Sequence, residues 1–263
     1  MPLEEKYLRV IKDLIPCVEE ASLEKFSLLY DRVVETNQKI NITSLVSPID
    51  VTLKHIVDSL TLFCNKKFCQ ELEEGAKVCD IGCGGGFPGL PVACLSPGTS
   101  ITMIDSTEKK IRALAENAEA LALPGVIPIS GRGEELAGAK NGKYREVFDV
   151  CISRAVAALP VLCELCIPFV KKGGVFFALK GQKAMEEIEQ SKSAIPMLGA
   201  HLTDVFEISF SKESMAFDDF DEKEQLKINE FLSASRYLVV IEKKKATNPI
   251  YPRKWSQMTK KCL

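Results

Sequence analysis

The chain has 263 residues, 46% of them hydrophobic, which is enough for one α/β domain with a small addition or for two modest domains. No apolar run approaches the roughly 18 residues of a membrane helix, and Met1-Pro2-Leu3-Glu4-Glu5 lacks the basic start of a secretory signal, so a cytoplasmic protein without membrane contact is expected. The net charge of −2 is unevenly spread: residues 243–263 hold seven basic residues and no acid, which leaves residues 1–242 at −9 and points the tail toward an anionic polymer such as nucleic acid.

Residues 3–40 read as helical, with Phe26, Leu29, Tyr30, Val33 and Val34 at helical spacing and Ser22 as the N-cap of Ser22–Lys39. A further helix is expected from Ser47-Pro48, with Pro48 at its first position. It would set His55, Asp58 and Ser59 on one face, either as a satisfied structural pair or as a polar face turned toward the glycine loop that follows. That loop is Lys77–Gly89, K-V-C-D-I-G-C-G-G-G-F-P-G: an apolar strand carrying Asp80, then Gly82, Gly84, Gly85, Gly86 and Gly89, then a helix over 88–95. A strand, a glycine turn and a helix N-terminus together cradle nucleotide-like ligands.

Beyond it, strands are expected at Ser100–Ile104, Val126–Ser130, Phe148–Ser153 and Gly174–Leu179, alternating with helices at Thr107–Leu121, Leu159–Val170 and Gln182–Ala194. Two more strands, Leu202–Phe210 and Tyr237–Ile241, flank a charged loop or short helix at Asp218–Glu224. Strands separated by helices imply a mainly parallel sheet, whose ligands bind beyond the carboxyl ends of the strands. The unusual residues fall at those ends: the glycine loop, Asp105, Gly131-Arg132-Gly133-Glu134-Glu135, Ser153-Arg154-Ala155 and Lys180-Gly181-Gln182. Asp105 is placed to accept hydrogen bonds from ribose hydroxyls. Ten cysteines in an apolar setting read as small core residues. With only two histidines, His55 and His201, beside Cys163-x-x-Cys166, no metal site is expected.

The glycine loop fits a nicotinamide dehydrogenase poorly. In register from Gly82 the third glycine position is Phe87, and the register from Gly84 puts Pro88 inside the motif. Six glycine or proline residues in eight positions, preceded by Asp80, suit an S-adenosylmethionine loop better.

Several stretches occur in one order: Asn41-Ile42-Thr43, His55-Ile56-Val57-Asp58-Ser59, Asp80 through Gly89, Asp105-Ser106-x-x-Lys109-Lys110, Ser153-Arg154-Ala155 and Ala178-Leu179-Lys180-Gly181. Together they resemble the glucose-inhibited division protein B family, the ribosomal RNA small subunit methyltransferase G enzymes, from about residue 20 to 182 and again at Tyr237–Glu242. The resemblance implies a Rossmann-like methyltransferase fold of mainly parallel seven-stranded sheet with an antiparallel strand. It implies an N-terminal helical extension over 1–70, a methyltransferase domain over 71–242 and a basic tail over 243–263. It further implies methylation of N7 of a guanine in 16S ribosomal RNA, free or in the small ribosomal subunit, with S-adenosylmethionine as cofactor. Expected cofactor residues are Asp80, Gly82, Gly84, Gly86, Phe87, Asp105, Gly133, Glu134 and Arg154. Arg154 and Lys180 are candidates at the reaction pocket, and Arg132, Lys180, Arg253 and Lys254 for RNA. Two segments depart from the family pattern: 211–235 is longer and more acidic, and Trp255-Ser256-Gln257 replaces a glycine-proline continuation.

Guanine N7 carries a lone pair and no proton, so transfer needs alignment and exclusion of water rather than a general base. No Ser-His-Asp or catalytic cysteine signature appears. Asn248-Pro249-Ile250-Tyr251 resembles an amide- or amine-methylating motif but lies beyond the last strand, and Cys151 sits inside an apolar run, away from a nucleophile's position. Read from residues alone, a methyltransferase for another RNA base, a protein or a metabolite, a nicotinamide oxidoreductase and an inert RNA-binding module stay open.

Overall fold

The computed structural model describes residues 2–140, 142–211 and 218–263. Seven strands form one sheet: β1 Val78–Ile81, β2 Ile101–Asp105, β3 Val126–Ser130, β4 Phe148–Arg154, β5 Val170–Lys180, β6 Ala200–Ile208 and β7 Arg236–Lys243. Their spatial order is β3-β2-β1-β4-β5-β7-β6, with β7 antiparallel to both neighbours and the other pairings parallel. The strand order reverses between β1 and β4, and such a reversal opens a crevice at the carboxyl ends. There the two strands separate after Asp80 pairs with Ile152, and the Ser153 hydroxyl donates to the Ile81 carbonyl at 2.9 Å. Register then aligns the rim, with Ile81 beside Ile104, Asp105 beside Ser130 and Arg154 beside Leu179.

The central strands are apolar on both faces, as a sheet covered on both sides requires. Val78, Val150, Phe177 and Val240 pack with the N-terminal helices, whereas Cys79, Cys151, Phe176 and Val239 pack with the helix Leu159–Cys166. The first helices, Glu5–Leu14 and Glu20–Lys39, contribute Tyr7, Ile11, Phe26, Leu29 and Val33 to the same cluster as the sheet. Burying each such side chain contributes about 1.5–3 kcal/mol. The expected Ser22 cap is wrong: Glu19 is the N-cap, and Ser22 lies inside the helix, its N–H bonded to the Glu19 carbonyl. The helix starts at Glu20, two residues before the expected Ser22, without a side-chain cap and with Leu23 and Phe26 turned inward, so burial rather than the cap sets the start.

The acidic stretch at 218–224 docks on the first helix. Lys6 meets Glu224 at 3.0 Å, Arg9 meets Asp219 at 3.1 Å, and the Tyr7 hydroxyl donates to Glu224. Asp221 and Glu224 form a reciprocal capping box that starts the helix Glu222–Ser233. Of the divergent 211–235 segment, residues 212–217 lie outside the described residues. Six of the ten cysteines are buried, whereas Cys17, Cys64 and Cys262 are exposed. Among the described residues no helix is long and apolar enough to cross a membrane.

Candidate active site

The glycine loop leaves β1 at the reversal of strand order. Gly82 has φ +74°, and a Cβ there would lie 2.4 Å from a Val156 methyl carbon. Both the conformation and the close approach of the 155–156 turn therefore demand glycine. Gly89 answers to a different contact, since a Cβ would stand 2.9 Å from Asp80 Oδ2. That oxygen accepts the Gly89 N–H at 2.9 Å, which ties the helix Gly89–Leu95 to the strand beneath the loop.

Asp80 is wholly buried, and its Oδ1 has no hydrogen-bond partner. Burial pushes its carboxyl up to about 7, against the Gly89 N–H and the charge of Arg154, which favour the ionised form. A buried acceptor without a donor is costly, and a cation brought to the loop would lower that cost. Asp105, closing β2, is held from two sides: Oδ2 accepts the Gly84 N–H at 3.0 Å and Oδ1 the Thr107 N–H at 2.8 Å. Each oxygen keeps a second lone pair, so the oriented carboxylate can still accept hydroxyl donors.

These groups border a cleft of about 500 Å³. Gly82, Gly84, Phe87, Asp105, Arg132, Gly133, Glu134 and Arg154 line it; Ile81, Ile104 and Leu165 supply apolar wall. Asp80 and Gly86 stand outside that lining, Asp80 acting from beneath the loop through Gly89. A nucleoside with a cationic sulfonium fits this donor set: an acid at the β2 end, apolar surface beside it and an unpartnered buried carboxyl oxygen under the loop.

Arg154, at the end of β4, organises the opposite wall. Its NH1 donates to Asp58 Oδ2 at 2.7 Å and to the Lys54 carbonyl at 2.6 Å, while its buried Nε has no partner. Asp58 is shared, since its Oδ1 also accepts Arg236 Nε at 3.1 Å. His55 lies 3.4 Å from Arg154 NH2, and its ring stacks on Phe87 with centroids 4.6 Å apart. Burial first, then the charge of Arg154, brings the His55 pKa down to about 4, so the imidazole is neutral at pH 7. Its Nε2 sits 2.9 Å from Thr43 Oγ1, on the Asn41-Ile42-Thr43 turn whose Ile42 and Thr43 N–H groups are capped by Asn37.

The helical run from Pro48 opens into a π turn at Thr52–Val57, which the apolar spacing did not reveal. His55 and Asp58 both reach Arg154, whereas Ser59 turns away and donates to the His55 carbonyl. The expected three-residue face is thus a two-residue one.

A second cleft, about 610 Å³, shares Arg154 and Ala155 with the first and runs along Lys180, Gly181, Gln182, Arg236 and Tyr237. Ala155 has φ +57°, a left-handed conformation that costs a side chain roughly 1–2 kcal/mol, at the point where the clefts meet. Lys180 lines the second cleft but is engaged: Nζ meets Glu187 at 2.6 Å and donates to the Ala157 carbonyl at 3.0 Å, which pins the turn after β4.

The remaining RNA candidates lie apart from this junction. Arg132 is exposed at the mouth of the first cleft, 3.9 Å from Glu134. Arg253 forks onto Glu164, with Nε at 2.8 Å and NH2 at 2.5 Å, and Lys254 is exposed beside it. Sequence reasoning overlooked Arg236 and Glu164, and marked Trp255 only as a departure in the tail. Glu164 had left a signal, a single acid inside the apolar helical run V-L-C-E-L-C.

The chain matches the family model for rRNA small subunit methyltransferase G over residues 22–215. It is 38% identical over 241 residues to Ribosomal RNA small subunit methyltransferase G of Desulfitobacterium hafniense, a match covering 92% of this chain and 89% of that relative. The Clostridium novyi protein of the same name is 39% identical over 233 residues, covering 89% and 86%. Solved structures at low identity share the fold. One is a branched-chain polyamine synthase mutein of Thermus thermophilus, at TM-score 0.51 and 12% identity, covering 84% of this chain and 64% of that one. Another is a mutant of MtNAS in complex with S-adenosylmethionine, at TM-score 0.50 and 14% identity, covering 82% and 73%.

Proposed function

The chain belongs to the rRNA small subunit methyltransferase G family, and on that premise we propose that it methylates N7 of a guanine in the 16S RNA of the small ribosomal subunit. The observation that carries the reading is the pair of clefts meeting at Arg154 and Ala155. One is glycine-walled with acids at its loop; the other is rimmed by Lys180 and Arg236. On this reading the first takes S-adenosylmethionine and the second takes the target base. Residues 71–242 are then the methyltransferase domain, 1–70 a helical layer over one face and 243–263 a tail.

S-adenosylmethionine, when bound, supplies an electrophilic methyl group on a sulfonium centre. Asp105 would hold the ribose, the Gly82–Phe87 loop the methionine part, and Gly133 with Glu134 the adenine side. Arg154 lines both clefts, so its guanidinium charge stands beside a carboxylate of the cofactor or an acceptor on the base.

The titratable groups around the junction favour an acceptor atom that has no proton to lose. His55 is neutral and held by Thr43 and Arg154, Asp58 is shared by two arginines, and Glu187 is paired with Lys180. Each of these three is engaged by a donor or a cation, and Asp80, held near 7, lies beneath the loop outside the cleft lining, so none reaches the acceptor as a general base. Guanine N7 presents a bare lone pair and asks only for alignment with the methyl carbon and sulfur, in a cleft that keeps water out.

Mass spectrometry of nucleosides from 16S RNA of the source strain lacking this gene tests the assignment. The deletion is expected to lose one 7-methylguanosine and the complemented strain to regain it. An unchanged 7-methylguanosine content sinks the assignment.

A further inference from the structure

Trp255 lies at the edge of the first cleft, 121 residues along the chain from Glu134, and lines it together with Gly133, Glu134 and Leu165. Its backbone N–H faces Glu134 Oε1 at 3.4 Å. The strap that brings it there is firmly fastened. The Arg145 guanidinium donates to the carbonyls of Thr247 at 2.6 Å and Tyr251 at 2.8 Å. Farther on, the Arg253 backbone and guanidinium both donate to Glu164, a carboxylate with 1% of its side chain exposed. Met258, in the short helix Trp255–Lys260, is fully buried against the same layer. The half-buried indole is therefore held in place by contacts on both sides of it.

We propose that Trp255 is a cofactor-contacting residue: the tail folds back as a strap, and its indole closes the adenine end of the S-adenosylmethionine cleft. The proposal rests on the cofactor reading above and extends it to a residue near the C-terminus. Position and chemistry agree. The β3 end of the cleft, at Gly133 and Glu134, lies across from the Arg154 junction, so the purine end of the ligand falls beside Trp255. Leu165 and Ile104 offer apolar surface to a flat heterocycle there, and an indole adds a broad aromatic face that excludes water. A smaller opening between the strap and the β3 turn, bordered by Arg132, Glu135, Pro252 and Ser256, continues the cleft outward along the strap. The strap and the first cleft thus share a wall, and holding the strap down holds the adenine side closed.

Trp255 is the only tryptophan in the chain, so its emission reports on this wall alone. Full-length protein is titrated with S-adenosylhomocysteine, adenosine or methionine, followed by tryptophan emission and in parallel by calorimetry. Adenosine and S-adenosylhomocysteine are expected to change the emission saturably, with midpoints matching calorimetry, and methionine to leave it unchanged. W255A is expected to bind S-adenosylhomocysteine about 10-fold more weakly and W255F to recover most of that loss. Circular dichroism confirms that both variants fold; if W255A does not, W255F and the emission titration decide. Calorimetric binding with unchanged emission, or W255A affinity equal to wild type, overturns the strap proposal and leaves the cofactor reading standing. No calorimetric binding of S-adenosylhomocysteine to the wild type removes the cofactor reading, and the strap proposal with it.

Discussion

Two arginine–carboxylate pairs in this molecule look alike in sequence and differ in what surrounds them. Glu164 is buried in the helix Leu159–Cys166 and takes its hydrogen bonds from Arg253, including the fork of Nε and NH2. Asp58 is more open and is divided between Arg154 and Arg236, with the neutral His55 beside them. Two guanidinium groups to one carboxylate leave a net positive charge where Arg154 borders both clefts. The saturated pair is a structural fastening. The shared one leaves its carboxylate outnumbered by cations beside the clefts. Counting Arg253 among the tail's basic residues could not show that its charge is spent on Glu164.

The largest effect is expected at the saturated pair. Arg253→Ala should cost about 3–5 kcal/mol in chemical denaturation, because it strands the buried Glu164. Replacing both partners together, with Glu164→Leu and Arg253→Met, should recover most of that loss. Equal stability of R253A and wild type would erase the distinction drawn here.

At the shared pair the balance reverses. Arg154→Met should lower methyl transfer to small-subunit RNA about 100-fold. Its stability cost should be smaller, about 1–2 kcal/mol, since Asp58 keeps Arg236. Stability and activity falling together would show that Arg154 is another fastening.

The pH dependence of stability sharpens the contrast further. His55 is held near 4 when folded, so between about pH 6.5 and 4 the unfolded chain takes up a proton that the folded one refuses, and stability falls with acid. Asp80 is held near 7, so over nearly the same range the folded chain takes up the proton first, and stability rises with acid. The two slopes oppose, each about 1.4 kcal/mol per pH unit at full effect. Urea unfolding from pH 6.5 to 4.5 should show D80N losing stability more steeply than wild type, and H55Q gaining it. Parallel curves for all three proteins would contradict both burial assignments.

The smallest effect is expected at Lys254. Its removal should reduce the slope of RNA affinity against salt by about one phosphate contact and change affinity a few-fold. An unchanged slope places that lysine outside the RNA path.

The fold was legible where periodicity and punctuation agree. Val126–Ser130 is a strand with the bounds its sequence suggests, and the helix expected at Thr107–Leu121 spans Glu108–Ala120. β5 starts earlier than expected because Lys171-Lys172-Gly173-Gly174 reads as a turn; the strand runs through it, with a register shift against β4 between Phe148 and Val150. The long helix after Leu159 ends at Cys166 and tightens into a 3₁₀ turn at Ile167–Phe169, since Pro168 has no N–H for an α-helical bond. The wall of the first cleft was legible because its residues cluster at strand ends, where one motif supplies both strand and turn. The strap was not, because Trp255 meets Glu134 only through the fold, and single-sequence spacing carries no information across 121 residues. The capping box at Asp221 and Glu224 was available in the sequence and was overlooked beneath the run of like charges.

The most direct measurement of the central claim is transfer in a purified system. Protein, S-adenosylmethionine tritiated at the methyl group and small ribosomal subunits from the deletion strain are combined, and the RNA is digested and separated by nucleoside. The account predicts that the label appears as 7-methylguanosine at a single position and is lost with R154M. Label in any other nucleoside, in protein, or in no RNA product would contradict it.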